Sequence, residues 1–127
     1  MEKKLYVSEI AKQFNLTENT IRFYEKKGLM PYMKRDKNNY RYILEDDVKW
    51  FDTVICLKKT GMSILEIKEY IKLAEKGNVT AAKRLEMIVN QKKVVNEQLE
   101  FLKKQLGFLD YKIEYYNNIL EKENKGE

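Results

Sequence analysis

The chain of 127 residues has no histidine, one cysteine and one proline, and each absence removes a class of chemistry. A lone cysteine closes no intrachain disulfide, and without histidine it assembles no thiolate or imidazole metal site within one chain. The commonest general base is missing as well, which removes the serine-histidine and cysteine-histidine pairs of hydrolases. The sequence therefore nominates no catalytic residue, no metal and no cofactor. No apolar run approaches the roughly 20 residues of a membrane span, and the start "MEKKLYVSEI" lacks the apolar centre of a signal peptide. These absences predict a cytoplasmic protein with no enzymatic activity and no membrane partner.

What is present suffices for one folded domain: 43% of the residues are apolar and 12% aromatic. The net charge of +5 is unevenly spread. Residues 1–44 hold 10 Lys or Arg against 5 Asp or Glu, whereas residues 45–127 hold 15 of each. A basic first third on a neutral remainder suggests a polyanion-binding head on a structural body.

The five glycines and the single proline act as punctuation. In "VSEIAKQFN", Ser8 is expected to cap a short helix whose apolar face holds Ile10, Ala11 and Phe14. Thr17 caps a second helix, "ENTIRFYEKK", which Gly28 ends with Pro31 just beyond. Two short helices joined by a tight turn predict a helix-turn-helix. The stretch "PYMKRDKNNYRYI" then reads as a β-hairpin whose basic tip carries Lys34, Arg35, Lys37 and Arg41. Glu45, Asp46 and Asp47 open a third helix against its dipole, and Gly61 closes it. Ser63 and Glu66 form a capping box for a fourth helix, with Met62 stapled to Ile67. Gly77 and Asn78 precede the last segment.

From Leu85 onward a three-four spacing runs through Ile88, Lys92, Val95, Leu99, Leu102, Leu106, Leu109, Ile113, Tyr116 and Leu120. A single helix cannot bury such a seam, which predicts a coiled coil with a second chain. Lys92 is the one polar seam position, either a register device or a residue near the start where packing is looser. Folding back onto its own head is the alternative for this helix.

On the second helix Asn19, Arg22, Phe23 and Lys26 fall at i, i+3, i+4 and i+7 and share one face, while Ile21 and Tyr24 turn toward the first helix. Amide and guanidinium groups offer paired hydrogen bonds to base edges, and an ammonium neutralises phosphate. Such a face followed by a basic hairpin is the pattern of a winged helix-turn-helix that reads double-stranded DNA.

With "LTENTIRFYEKKGLMP", "RDKNNYRYI" and "LKKTGMSILEI" in order across residues 4–75, the chain resembles the MerR family of bacterial transcription regulators. The resemblance implies a mainly α fold: a winged helix-turn-helix head with a β-hairpin wing, a helix pair, and a long C-terminal helix forming an antiparallel coiled coil in a homodimer. It divides the chain into a DNA-binding domain at residues 1–75 and a dimerisation helix with a short tail at residues 76–127. Carried over position by position, it places DNA contacts at Thr17, Asn19, Arg22, Phe23 and Tyr24 on the recognition helix and at Arg35, Tyr40 and Arg41 on the wing. Lys26 and Lys37 join them from their place on the face and at the tip. Asn39 replaces a glycine common in the family, and Ile43 replaces a tyrosine that is one possible phosphate contact. The implied mode of action is binding to a palindromic promoter site and distortion of the DNA, which realigns promoter elements for RNA polymerase.

The effector is not given. "CLKKTGM" resembles the small single-cysteine members that respond to aldehydes and other thiol-reactive stress, which makes Cys56 a candidate thiol sensor and a small electrophile the candidate effector. On the helical wheel Val48, Trp50, Phe51, Val54, Ile55 and Leu57 make an apolar arc, and Cys56 lies opposite its centre among Lys49, Asp52, Thr53, Lys59 and Thr60. The two lysines favour the thiolate that attacks electrophiles, and Asp52 opposes them; the structural alternative is a small side chain that fills space or is covered by the coiled coil. Two other readings use the same residues: an architectural or excisionase-like DNA-binding protein without effector control, and a coiled-coil interaction protein whose basic head binds another anionic surface.

Overall fold

The computed structural model describes residues 3–126; Met1, Glu2 and Glu127, the outer ends of the two expected domains, lie outside the described residues. In chain order the elements are β1 (Lys4–Tyr6), α1 (Val7–Phe14), α2 (Glu18–Lys26), β2 (Lys34–Arg35), β3 (Arg41–Leu44), α3 (Val48–Lys59), α4 (Ile64–Glu75) and α5 (Ala81–Asn124). Short 3-10 turns at Glu45–Asp47 and Asn78–Thr80 lead into α3 and α5. The chain divides into two compact units, Met1–Met87 and Ile88–Glu127.

The helix starts follow from local chemistry. Thr17 Oγ1 accepts from the Thr20 amide at 3.1 Å, and Ser63 Oγ accepts from the Glu66 amide at 3.1 Å while donating to Glu66 Oε1 at 2.9 Å. Each cap satisfies an amide with no partner inside its helix, worth about 1 kcal/mol. Met62 and Ile67, flanking the Ser63 cap, are both fully buried. Helix α1 corrects the sequence reading: its N-cap is Tyr6, whose amide donates to Glu9 Oε1 at 3.2 Å, and Ser8 lies inside the helix, exposed. The shift arises because β1, unexpected from the sequence, runs directly into α1 and sets where helical geometry begins.

Strand β3 is the centre of a three-stranded antiparallel sheet in the order β1-β3-β2, with Leu5 opposite Ile43 and Arg35 opposite Arg41. The wing is thus a hairpin braced on its far side by β1. Its turn is organised by Asp36, whose Oδ1 accepts from the amides of Asn38 and Tyr40, both at 2.9 Å. Asn39 takes the left-handed conformation, φ 68°, that a glycine would otherwise supply.

Leu5, Ile10, Ile21, Leu29, Ile43, Phe51, Val54 and Ile67 belong to one core that joins the sheet, the helix-turn-helix and the α3-α4 pair. Phe51 anchors it, edge-on to Phe14 at 4.8 Å and to Tyr24 at 6.1 Å between ring centroids. Between α2 and the wing, Gly28 has φ 80°, a conformation that selects glycine, while an added Cβ would meet only the movable end of the Lys68 side chain, at 3.1 Å.

Past the expected boundary at residue 75, a polar knot keeps the first turns of α5 with the head. Thr80 Oγ1 donates to the Leu73 carbonyl at 2.6 Å, and Arg84 reaches Thr80 Oγ1 at 3.0 Å and the Gly77 carbonyl at 3.1 Å. These bonds satisfy carbonyls left open where α4 ends.

Helix α5 itself is 44 residues long, and its seam is uncovered: Leu85, Ile88, Val95, Leu99, Leu102, Leu106, Leu109, Ile113 and Tyr116 are all exposed. The seam is a long, continuous exposed apolar stripe. Val94, Phe101, Phe108 and Tyr115 recur every seven residues on another face of α5 and are exposed too. No helix of the described residues is long and apolar enough to cross a membrane.

Candidate nucleic-acid interface

Helix α2 presents the expected face. Asn19, Arg22, Phe23 and Lys26 are exposed, whereas Ile21 and Tyr24 are buried. The exposed side is held in order before any ligand arrives. Arg22 Nη1 donates to Asn19 Oδ1 at 2.9 Å, and Arg22 Nη2 lies 3.6 Å from the Glu18 carboxylate. Exposed pairs of this kind contribute about 0–1 kcal/mol, so the guanidinium can leave them at little cost. Phe23 is 46% exposed with the Lys27 ammonium 5.6 Å from its ring centroid, which places an apolar ring beside cationic groups.

Tyr24 departs from its expected role. Only 9% of it is exposed, and its ring sits between Phe23 and Phe51 at the core. Its contribution is to hold α2 on the core so that its neighbour Phe23 faces out. Thr17 is exposed, but its hydroxyl is engaged at the helix cap, so positioning α2 is its first task.

The wing stands next to this face. Arg35, Lys37 and Tyr40 are exposed, with Tyr40 the most open at 65%. Arg35 Nη1 reaches Asn39 Oδ1 at 3.3 Å, which directs it across the turn. Arg41 points inward: its Nε donates to Glu25 Oε1 at 2.6 Å and joins β3 to the recognition helix. Between α2 and the wing lies a cleft of about 260 Å³ lined by Ser8, Arg22, Asn39, Tyr40 and Arg41 among others. Ile43 is fully buried opposite Leu5, in the core of the head.

Two of the groups with shifted titration meet at the wing turn. Hydrogen bonds from the Tyr40 amide, the Tyr6 hydroxyl and the Asn38 amide stabilise the Asp36 carboxylate, against a smaller opposing effect of burial, and hold its carboxyl below the usual value. The Tyr6 hydroxyl, which donates to Asp36 Oδ2 at 3.0 Å, is pushed up, chiefly by that hydrogen bond. Sequence reasoning missed both this link and the Glu25-Arg41 pair, because each joins residues far apart in the chain.

The MerR HTH family regulatory protein model matches residues 5–74. The chain belongs to the MerR family. An uncharacterized HTH-type transcriptional regulator of Haemophilus influenzae is 36% identical over 109 residues, covering 86% of this chain and 81% of that protein. The regulator AdhR of Bacillus subtilis is 35% identical over 86 residues, covering 68% of this chain and 61% of AdhR. The crystal structure of HiNmlR, a MerR family regulator lacking the sensor domain, bound to promoter DNA, superposes with a TM-score of 0.80 at 34% identity, covering 91% of this chain and 92% of HiNmlR. A MerR family regulator from Bacillus thuringiensis gives a TM-score of 0.80 at 32% identity, covering 87% and 97% of the two chains. The mainly α fold, the small sheet of the wing and the long C-terminal helix are those of MerR regulators, and the chain is a DNA-binding transcriptional regulator of this family.

Cys56 lies on the exposed side of α3, whose Phe51, Val54, Ile55 and Leu57 are buried. The Cys56 thiol faces the Asp52 carboxylate, with Sγ 3.9 Å from Oδ1, and no other cysteine exists in the chain. No group of three or more metal-ligating side chains is found among the described residues.

Proposed function

We propose that the chain acts as a homodimer that reads a palindromic promoter site and distorts it. The observation that carries this reading is the exposed face of Asn19, Arg22, Phe23 and Lys26 on α2, set beside the basic wing. In the dimer the α5 seam pairs with that of a second copy, antiparallel as in the family, and each head places α2 in the major groove. Arg22 and Asn19 read bases there, while Lys26, Arg35, Lys37 and Tyr40 hold the backbone. The two heads bend or untwist the DNA between half-sites at a cost of about 1–6 kcal/mol, met by the paired contacts, and the altered DNA realigns promoter elements for RNA polymerase. The promoter-bound HiNmlR structure supports the DNA partner.

Cys56 is the proposed switch in this reading. Its thiol is open to solvent and off the core, so a small electrophile reaches it without unfolding α3. Addition to the sulfur changes which dimer shape is favoured on DNA. Selection of bound duplexes from a random pool tests the reading, followed by anisotropy titrations of the selected site. It expects an inverted repeat; a site without symmetry, or binding blind to sequence, contradicts it. For the switch, Cys56→Ser keeps operator affinity and loses the transcriptional response to aldehydes, and an unchanged response removes Cys56 from the mechanism.

A further inference from the structure

On the head, away from the α2 face, lies a cavity of about 420 Å³ between the segment that follows α2, the start of α3 and the end of α4. Its walls include the rings of Tyr32 and Trp50 and the aliphatic groups of Pro31, Ile71 and Ala74. The charged residues among its lining are both acidic, Asp47 and Glu75. Neither forms an ion pair among the described residues, although the chain carries a net charge of +5. The Tyr32 hydroxyl is buried in the wall without a hydrogen-bond partner, a cost that a purely structural wall would avoid with phenylalanine.

This combination selects among ligand classes. An anion meets two carboxylates and no cation. A neutral apolar molecule gains from the rings but leaves both carboxylates unanswered. An ammonium ion with small alkyl or aryl groups answers both the acids and the rings: its charge faces Asp47 and Glu75, and its polarised methyl or methylene groups lie against Trp50 and Tyr32.

We propose that this cavity is a binding site for a compact organic ammonium ion. The site goes beyond the DNA-binding reading and its test uses no DNA. Its walls connect the segment leaving the recognition helix to the α3-α4 pair, so an occupant bridges the parts of the head that must keep their relative placement.

Trp50 is the only tryptophan, so its emission reports on the cavity directly. The full chain is titrated at constant ionic strength with benzyltrimethylammonium, with choline, and with dimethylbutanol, the neutral carbon isostere of choline. The site predicts a saturable change with both ammonium ions and affinity for dimethylbutanol about tenfold weaker than for choline. Glu75→Gln, an exposed position at the end of α4, weakens ammonium binding about tenfold, whereas Glu69→Gln, on α4 but outside the cavity lining, leaves it unchanged. A linear, unsaturable emission change overturns the proposal, as do equal affinities for choline and dimethylbutanol, or equal losses in the two glutamine variants.

Discussion

Glu25 Oε1 accepts a hydrogen bond from Arg41 Nε at 2.6 Å, tying the recognition helix to the central strand of the wing. Both side chains are partly buried, so solvent screens the pair less than an exposed one. The pair spaces the two DNA-facing elements with a contact that makes no demand on the DNA. Glu25→Gln is therefore expected to lower stability by about 1 kcal/mol and to reduce operator affinity. In a denaturation double-mutant cycle with Arg41→Ala the two losses are non-additive; simple additivity would show that the pair does not act as a unit.

Arg22 and Lys26 share a face but are assigned different tasks, and their variants separate them. Arg22→Ala costs about 1–3 kcal/mol on the operator and relaxes preference at one base pair. Lys26→Ala weakens binding on all duplexes alike and reduces the slope of log K against log salt by about one. Anisotropy titrations over a range of salt, on operator and scrambled DNA, read both effects. Identical behaviour of the two variants would contradict the assignment.

The wing turn carries a pH signature. The Asp36 carboxyl sits below its ordinary value in the folded chain, with the hydrogen bond from the Tyr40 amide the largest cause. Its stabilising contribution is fully present above the unfolded value, about 3.9, and is lost as pH falls through the lower folded value. Tyr6 has the opposite sign: its raised hydroxyl contributes below the ordinary tyrosine value and the contribution is lost as pH rises through the folded value. Amide resonances of Asn38 and Tyr40 followed through an acid titration report the loosening of the turn. In Asp36→Asn the acid-side transition should vanish; its persistence would locate the titrating group elsewhere.

Tyr32 offers a stability prediction of unusual direction. Burial and the nearby Asp47 push its hydroxyl far above the usual tyrosine value, and no partner satisfies it. Tyr32→Phe removes a desolvated group without opening a cavity, and should stabilise the head by about 1 kcal/mol in chemical denaturation. A loss of stability would mean that the hydroxyl is bonded in solution.

Much of this was legible in the sequence wherever the signal was local. Thr17 and Ser63 announce helix starts because a cap acts within three residues, and the split of Ile21 and Tyr24 from Arg22 and Phe23 follows from helical periodicity alone. Asn39 was readable as a turn residue because asparagine tolerates positive φ. Strand β1 was not, since a three-residue strand carries almost no period and its partner β3 lies far along the chain. Ser8 misled for the same reason: the true cap, Tyr6, is set by the strand that precedes it. The resemblance to the family marked Tyr24 as a contact, and only packing against Phe51 reveals the ring as part of the core. Glu25-Arg41, Tyr6-Asp36 and the Trp50 cavity depend on the tertiary arrangement and leave no trace in spacing.

The proposed homodimer on DNA is tested most directly by sedimentation of the complex with its selected duplex. The seam of α5 predicts two chains per duplex, with Leu99→Glu and Leu106→Glu together leaving a folded single chain that no longer holds the full site. Stable operator binding by one chain, or an undiminished dimer in the double variant, would contradict it.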